Sequence, residues 1–183
     1  MDTKPWLTAI HRKTISAPLK TLLELNEIDC NSTILDYGCG HGCDLNYLKN
    51  MELNVCGYDK YIKTYSKDDY NKEYYDIILC FYVLNTIQEE TERIEVISSI
   101  LNILKENGHA YIAVRSINEL HINKKQQYTH YKDGIITKKG TFQKYFDKEY
   151  LDHLITYNFT NIKYQYIKFP SNTLFIKLSK IHN

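Results

Sequence analysis

Residues 32–45 read STILDYGCGHGCDL, and this stretch decides the fold. Ser32 to Asp36 has the pattern of a short buried strand, three glycines follow, and a helix is expected from about Asp44 to Asn50. Gly38, Gly40 and Gly42 are three of only 7 glycines in 183 residues. Ordinary usage is roughly 7%, about twice that frequency. A chain so sparing of glycine gathers three where the backbone turns tightly or closely approaches a ligand. Downstream, Asn54 to Tyr58 reads as a second strand closed by Asp59, 23 residues after Asp36. An acidic residue about 20 positions beyond such a strand–glycine–helix turn is placed to accept both hydroxyls of a ribose.

The wider pattern alternates strand and helix. Ser16-Ala17-Pro18 is an N-cap with proline in the first turn, ahead of a helical LKTLLELNEI. Tyr75 to Phe81 (YDIILCF) is a continuous apolar run, as in strands buried on both faces of a parallel sheet. Thr86-Ile87-Gln88-Glu89 has the form of a capping box. The helix after it places Ile94, Ile97, Leu101 and Leu104 on one face and is expected to stop at Gly108. His109 to Val114 is another strand. Residues 116–146 read as polar, basic and irregular, with one hairpin signal at Asp133-Gly134. A helix near Asp147 to Tyr157 precedes two alternating runs, Ile162 to Phe169 and Thr173 to Leu178, which a turn at Pro170-Ser171-Asn172 makes antiparallel. The expectation is an α/β fold, a mostly parallel sheet ending in an antiparallel pair. Only 16 residues separate Asp59 from Asp76, too few for a full strand with its helix, so a third strand is expected to be truncated or missing. Asp68 and Asp69 lie in that short link and read as a solvated turn.

Composition narrows the function classes. Twenty-three Lys and Arg against 22 Asp and Glu leave a net charge of +1, which gives no general field for gathering nucleic acid or anionic membrane. No apolar run approaches the ~20 residues that span a bilayer. The N-terminus lacks a basic-then-apolar signal pattern, so the expected location is cytoplasmic. Cys30, Cys39, Cys43, Cys56 and Cys80 are an odd set in a chain large enough to fold without staples, and are expected to be free thiols. The 17 tyrosines accompany a general richness in Ile, Lys and Asn and by themselves mark no binding surface.

The ligand can be narrowed further. A dinucleotide fingerprint G-x-G-x-x-G would need glycine where Cys43 stands, and no P-loop is present. An Asp ahead of the glycines repels a pyrophosphate but suits a ligand carrying an ammonium and a sulfonium, which favours S-adenosylmethionine. The segment DYGCGHG resembles motif I of the class I S-adenosylmethionine-dependent methyltransferases. That resemblance implies a Rossmann-like methyltransferase fold over residues 1–183 as one domain. It also implies a cofactor set of Asp36, Tyr37, Gly38, Gly40, Asp59, Lys60, Cys80 and Phe81, with Cys80-Phe81-Tyr82 beside the transferable methyl. A closer resemblance covers about Thr8 to Ile155. TAIHRKTISAPLK, LDYGCGHGCDL, CGYDKY, YVLNTIQEETER and DGIITKKGTFQKYF are similar to the methyltransferases associated with DNA phosphorothioation.

Methyl transfer needs an aligned nucleophile, a site shielded from water and, for some acceptors, a base. Tyr82 and His11 are the candidate catalytic residues. Arg12, Lys13, Arg115, Gln143 and Lys144 are the candidate substrate contacts, with Tyr145 beside them. Residues 1–30 and the insertion 116–146 are expected to form a lid segment and a cap. Lysines 124, 125, 138, 139 and 144, with Tyr128 and Tyr131, are a candidate phosphate-contacting face. Cys39-x-His41-x-Cys43 lacks the four-ligand spacing of structural zinc, so no metal is expected. Cys80 follows Leu79 rather than proline, and no Asn/Asp-Pro-Pro-aromatic run of base-amino methylation is present. The expected acceptor is a small molecule or peptide side chain. Nucleic acid in a DNA-modification system, or a non-catalytic cofactor-binding subunit, are the alternatives.

Overall fold

The computed structural model describes residues 3–67, 70, 74–122 and 128–181, with the side chains of 120–122 left aside. Nine strands are described: β1 (Thr33–Tyr37), β2 (Asn54–Tyr58), β3 (Tyr75–Phe81), β4 (Leu104–Arg115), β5 (Tyr128–Tyr131), β6 (Gly134–Thr137), β7 (Phe142–Gln143), β8 (Ile162–Tyr166) and β9 (Thr173–Lys180). Five helices accompany them: α1 (Ala17–Glu24), α2 (Cys43–Asn50), α3 (Glu90–Ile103), α4 (Ile117–Ile122) and α5 (Lys148–Asn158).

The main sheet runs β2-β1-β3-β4-β9-β8. β2, β1, β3 and β4 pair in parallel, while β9 is antiparallel to both β4 and β8. This is the α/β sheet expected from the sequence. Among the described residues no strand lies between Asp59 and Asp76, which leaves β2 at the sheet edge; Asp68 and Asp69 lie outside the described residues. Side-chain alternation splits the core in two. Ile78, Cys80, Ile112 and Val114 pack with Ile97 of α3 and Leu151 of α5, while Ile77, Leu79, Tyr111 and Ala113 pack with Leu19 of α1 and Leu48 of α2. Ser16 caps α1, its Oγ accepting from Leu19 N at 3.2 Å.

Several boundaries differ from expectation. The Thr86 hydroxyl donates to Val83 O at 2.8 Å inside a short 3₁₀ turn, so it forms no capping box; α3 begins at Glu90, with Glu89 as an N-cap that makes no side-chain bond. Nor does α3 run to Gly108. It ends at Ile103, and the chain passes directly into β4. Gly108 sits where β4 crosses the register shift against β3, and a Cβ there would lie 2.9 Å from Asp76 O. The described residues of the insertion are regular where irregular structure was expected, forming α4 and a second sheet, β5-β6-β7. Its hairpin turn is Lys132-Asp133, one residue earlier than expected, because Gly134 already pairs with Tyr131.

The small sheet is docked by a buried cation. Arg93 of α3 is fully buried, and its guanidinium donates to Ile87 O (3.0 Å), Gln88 O (3.0 Å), the Tyr150 hydroxyl (2.8 Å) and both oxygens of Asp133 (2.6 and 2.9 Å). Lys144 Nζ lies 3.2 Å from Asp133 and 3.9 Å from the centre of the Tyr150 ring. Burial pushes the Asp133 carboxyl up, but the bonds and charges of Arg93 and Lys144 outweigh it and hold the group below its usual range. Asp133→Ala should therefore lower stability by about 2–3 kcal/mol, less than a fully buried pair because Asp133 is partly solvated. Urea unfolding at pH 7 measures this, and a loss under 0.5 kcal/mol, the scale of an ordinary surface substitution, would rule out the docking role.

Candidate active site

The glycine loop is shaped by close approach. Gly38 has φ +79°, and a Cβ on it would lie 2.2 Å from Val83 Cγ2; Gly42, φ +76°, caps α2 with the Tyr65 hydroxyl 2.7 Å from its own Cβ position. Gly38 N and Cys39 N both donate to Tyr58 O, at 2.7 and 3.0 Å, which ties the loop to the end of β2. Asp59 continues the tie. Its Oδ2 accepts from Gly40 N at 2.9 Å, and its Oδ1 from Tyr61 N at 2.9 Å and Ile62 N at 3.2 Å. The loop lies where β1 is flanked by β2 on one side and β3 on the other, the switch point at which such sheets bind ligands.

Above this loop is a cavity of about 1300 Å³. Its lining includes Tyr37, Gly38, Gly40, Asp59, Lys60, Phe81, Tyr82, Arg12, Arg115 and Gln143 of the residues singled out in the sequence. Tyr145 lines it too, while Asp36, Cys80, His11, Lys13 and Lys144 stand elsewhere. Asp36 lies buried outside the lining, and Cys80 is fully buried in the core. His11 and Lys13 face a separate shallow depression, where His11 stacks on His41 at 3.5 Å. Between them, Arg12 turns inward to Asp44 at 3.1 Å. Lys144 is buried in its ion pair with Asp133 and does not line the cavity; of the candidate phosphate-contacting face, Lys138, Lys139 and Tyr128 do line it, while Lys124 and Lys125 lie outside the described residues. Cys39 and Cys43 have different neighbours, Cys39 the Gly57 backbone and Cys43 the carbonyl of Thr14.

Two carboxyl groups have distinct roles in the loop. Asp44, itself buried, accepts Ser16 N at 2.7 Å and Arg12, fastening the N-terminal segment to α2. Asp36 Oδ2 is the one buried side-chain polar atom without a partner among the described residues. Burial, with the charges of Asp44 and Asp59 added, pushes Asp36 up to about 8 against partial relief from Arg12.

Tyr82 follows β3 in a left-handed conformation, φ +61°. Its hydroxyl meets Thr173 Oγ1 at 3.2 Å, and the Arg115 guanidinium lies over its ring at 5.4 Å. Burial raises the phenol further than the Thr173 bond lowers it. Tyr82 is thus a protonated phenol at neutral pH, suited to orienting a substrate and not to removing a proton. Arg115 in turn donates to Glu119 at 2.9 Å.

Sequence reasoning missed several lining residues. Trp6 lines the cavity with its neighbours in the opening segment, which Lys4 N pins to Gly140 O at 2.8 Å. The outer face of α3 contributes Glu92, Glu95, Val96 and Ser99, the i, i+3, i+4, i+7 stripe opposite the apolar one. In TFQKYF the alternation is complete: Thr141, Gln143 and Tyr145 line the cavity, while Phe142, Lys144 and Phe146 are buried behind it. That period of two was visible in the sequence.

A doubly wound sheet with a glycine loop and an acidic residue at the next strand end defines a nucleoside-binding enzyme fold. The chain belongs to the methyltransferase domain family, whose model matches residues 9–164. No protein of curated function matches it. Among solved structures it is similar to an S-adenosylmethionine-dependent methyltransferase from Bacteroides fragilis in complex with S-adenosylhomocysteine, with 18% identity, 93% of this chain and 80% of that one covered, and a TM-score of 0.63. A plantazolicin methyltransferase in complex with S-adenosylhomocysteine gives 17%, 91% and 83%, with 0.64. The 1,6-didemethyltoxoflavin-N1-methyltransferase of Burkholderia thailandensis gives 15%, 91% and 77%, with 0.61.

The proton on Asp36 makes a stability prediction. The folded protein keeps it up to about pH 8, whereas the unfolded chain loses it near the ordinary 3.8, so this group's contribution to stability falls as pH rises through that window. Asp36→Asn should be more stable than the parent at pH 8, by an advantage that vanishes toward pH 4. Urea midpoints at both pH values test this; equal midpoints at pH 8 would contradict it.

Proposed function

We propose that the protein is an S-adenosylmethionine-dependent methyltransferase acting on a small molecule or a peptide side chain. The observation that carries this reading is the glycine loop and Asp59 facing one large cavity at the switch point of the sheet. The residues fit the cofactor. Gly38 leaves no room for a side chain beside Val83, and Asp59 Oδ2, which accepts only from Gly40 N, keeps a lone pair for a ribose hydroxyl. When bound, the cofactor supplies a sulfonium methyl for in-line displacement.

The chain's own residues supply alignment and shielding. Tyr37, Gly38, Gly40 and Phe81 pack against the cofactor, with Lys60 at the rim, where it is paired to Glu92 at 2.9 Å. Residues 3–16 and the small sheet form the cap that excludes water, which strengthens the electrostatics inside. Arg12, Arg115 and Gln143 face the acceptor, and Tyr82 orients it. One solved neighbour carries bound 1,6-didemethyltoxoflavin, which supports a small acceptor for this chain too. The resemblance to the phosphorothioation-associated group favours a second reading, an acceptor in DNA. A retarded complex with duplex DNA whose affinity falls steeply with salt would establish that reading.

Calorimetry should show S-adenosylhomocysteine binding to the parent. Asp59→Ala should weaken it by about 1.5–3 kcal/mol, roughly ten- to a hundredfold, because the variant loses both the ribose acceptor and the tie to Gly40. Binding of NAD in place of S-adenosylhomocysteine would overturn the assignment.

A further inference from the structure

The walls of the cavity differ in charge. The side built by β2 and α3, with the turn before α3, contributes Asp59, Glu89, Glu92 and Glu95 against the single cation Lys60. The side built by the end of β4 and by the small sheet contributes Arg115, Lys138 and Lys139, and no carboxylate from it lines the cavity. Arg115 is only partly satisfied. One guanidinium nitrogen donates to Glu119, and no other hydrogen bond of the guanidinium is present among the described residues. The guanidinium lies over the Tyr82 ring at 5.4 Å, and Tyr128, Tyr145 and Trp6 line the same cavity.

A planar fork of N–H donors backed by an aromatic ring is suited to a carboxylate or phosphate group. Tyrosines around it suit the flat face of a ring. Lys138 and Lys139 are exposed, so they attract an anion toward the mouth without contributing much affinity. The acidic wall opposite repels the same anion, which leaves the molecule one orientation. We propose that the β4 and small-sheet side of the cavity binds an aromatic acceptor bearing a carboxylate or phosphate group, clamped by Arg115. The proposal rests on the methyltransferase reading and adds the chemical class of its acceptor.

The test uses the full chain saturated with S-adenosylhomocysteine, whose binding is measured first; failure at that stage counts against the methyltransferase reading itself. 4-Hydroxybenzoate, phenyl phosphate and the neutral 4-hydroxybenzamide are then titrated, followed by ligand-observed NMR and by the fluorescence of Trp6, the sole tryptophan. At least one anion should bind about tenfold more tightly than the amide, and the better of the two identifies the oxyacid. Arg115→Gln should abolish that preference while leaving the affinities for the amide and for S-adenosylhomocysteine within about twofold. Glu119→Gln frees the fork of Arg115 and should strengthen anion binding, a gain that an unfolded variant cannot imitate. Equal binding of the three rings, a preference that survives Arg115→Gln, or weaker anion binding in Glu119→Gln would each overturn the proposal. So would an oligonucleotide that outcompetes both anions with a steep salt dependence.

Discussion

A guanidinium shut away from water must find acceptors for all its N–H groups, and Arg93 finds them in three separate parts of the chain. Two carbonyls come from the turn ahead of α3, a carboxylate from the hairpin of the small sheet and a hydroxyl from α5. One side chain thus ties all three segments together. The small sheet has three short strands and could not stand alone in water. It stands because Asp133 is held by Arg93, Phe142 and Phe146 are buried beneath it, and Asn85 bonds the backbone of Lys144 in both directions. The turn that carries Ile87 and Gln88 lines the cavity, so the constraint that docks the small sheet also sets one wall of the site.

Much of this was legible in the sequence because its signals were local. The strand–glycine–helix pattern, the acidic residue at the next strand end, the short link after Asp59 and the terminal antiparallel pair each depend on neighbours a few residues away. The boundaries of α3 were not, since Thr86 had two local partners available and only the fold decides between them. Gly108 read as a helix stop because glycine most often marks one; its actual reason is the backbone of β3, about 30 residues distant. Lys144 and His11 were misplaced for the same reason. A lysine in a polar segment reads as solvated until Asp133 and the Tyr150 ring are brought to it from elsewhere in the chain.

The shortened sheet has its own solution at the edge. With no described strand beyond β2, Tyr37, Tyr58 and Tyr70 pack their rings together there, Tyr58 and Tyr70 with centroids 4.0 Å apart. Some of the many tyrosines therefore do structural duty where a further layer would otherwise cover the sheet. Tyr37 and Tyr58 also line the cavity, so this aromatic edge is continuous with the cofactor side of the site.

The alternation in residues 141–146 separates two kinds of selection. Phe142, Lys144 and Phe146 answer to the interior, where a change is felt throughout the docked sheet. Gln143 and Tyr145 face whatever enters the cavity, whereas Thr141, which also lines it, is bonded through its hydroxyl to Thr137 at 2.7 Å. A lineage can therefore exchange Gln143 and Tyr145 for residues of other size or polarity and arrive at a new acceptor while its scaffold stays intact. Within six consecutive positions, the chain keeps what must be conserved apart from what is free to diversify.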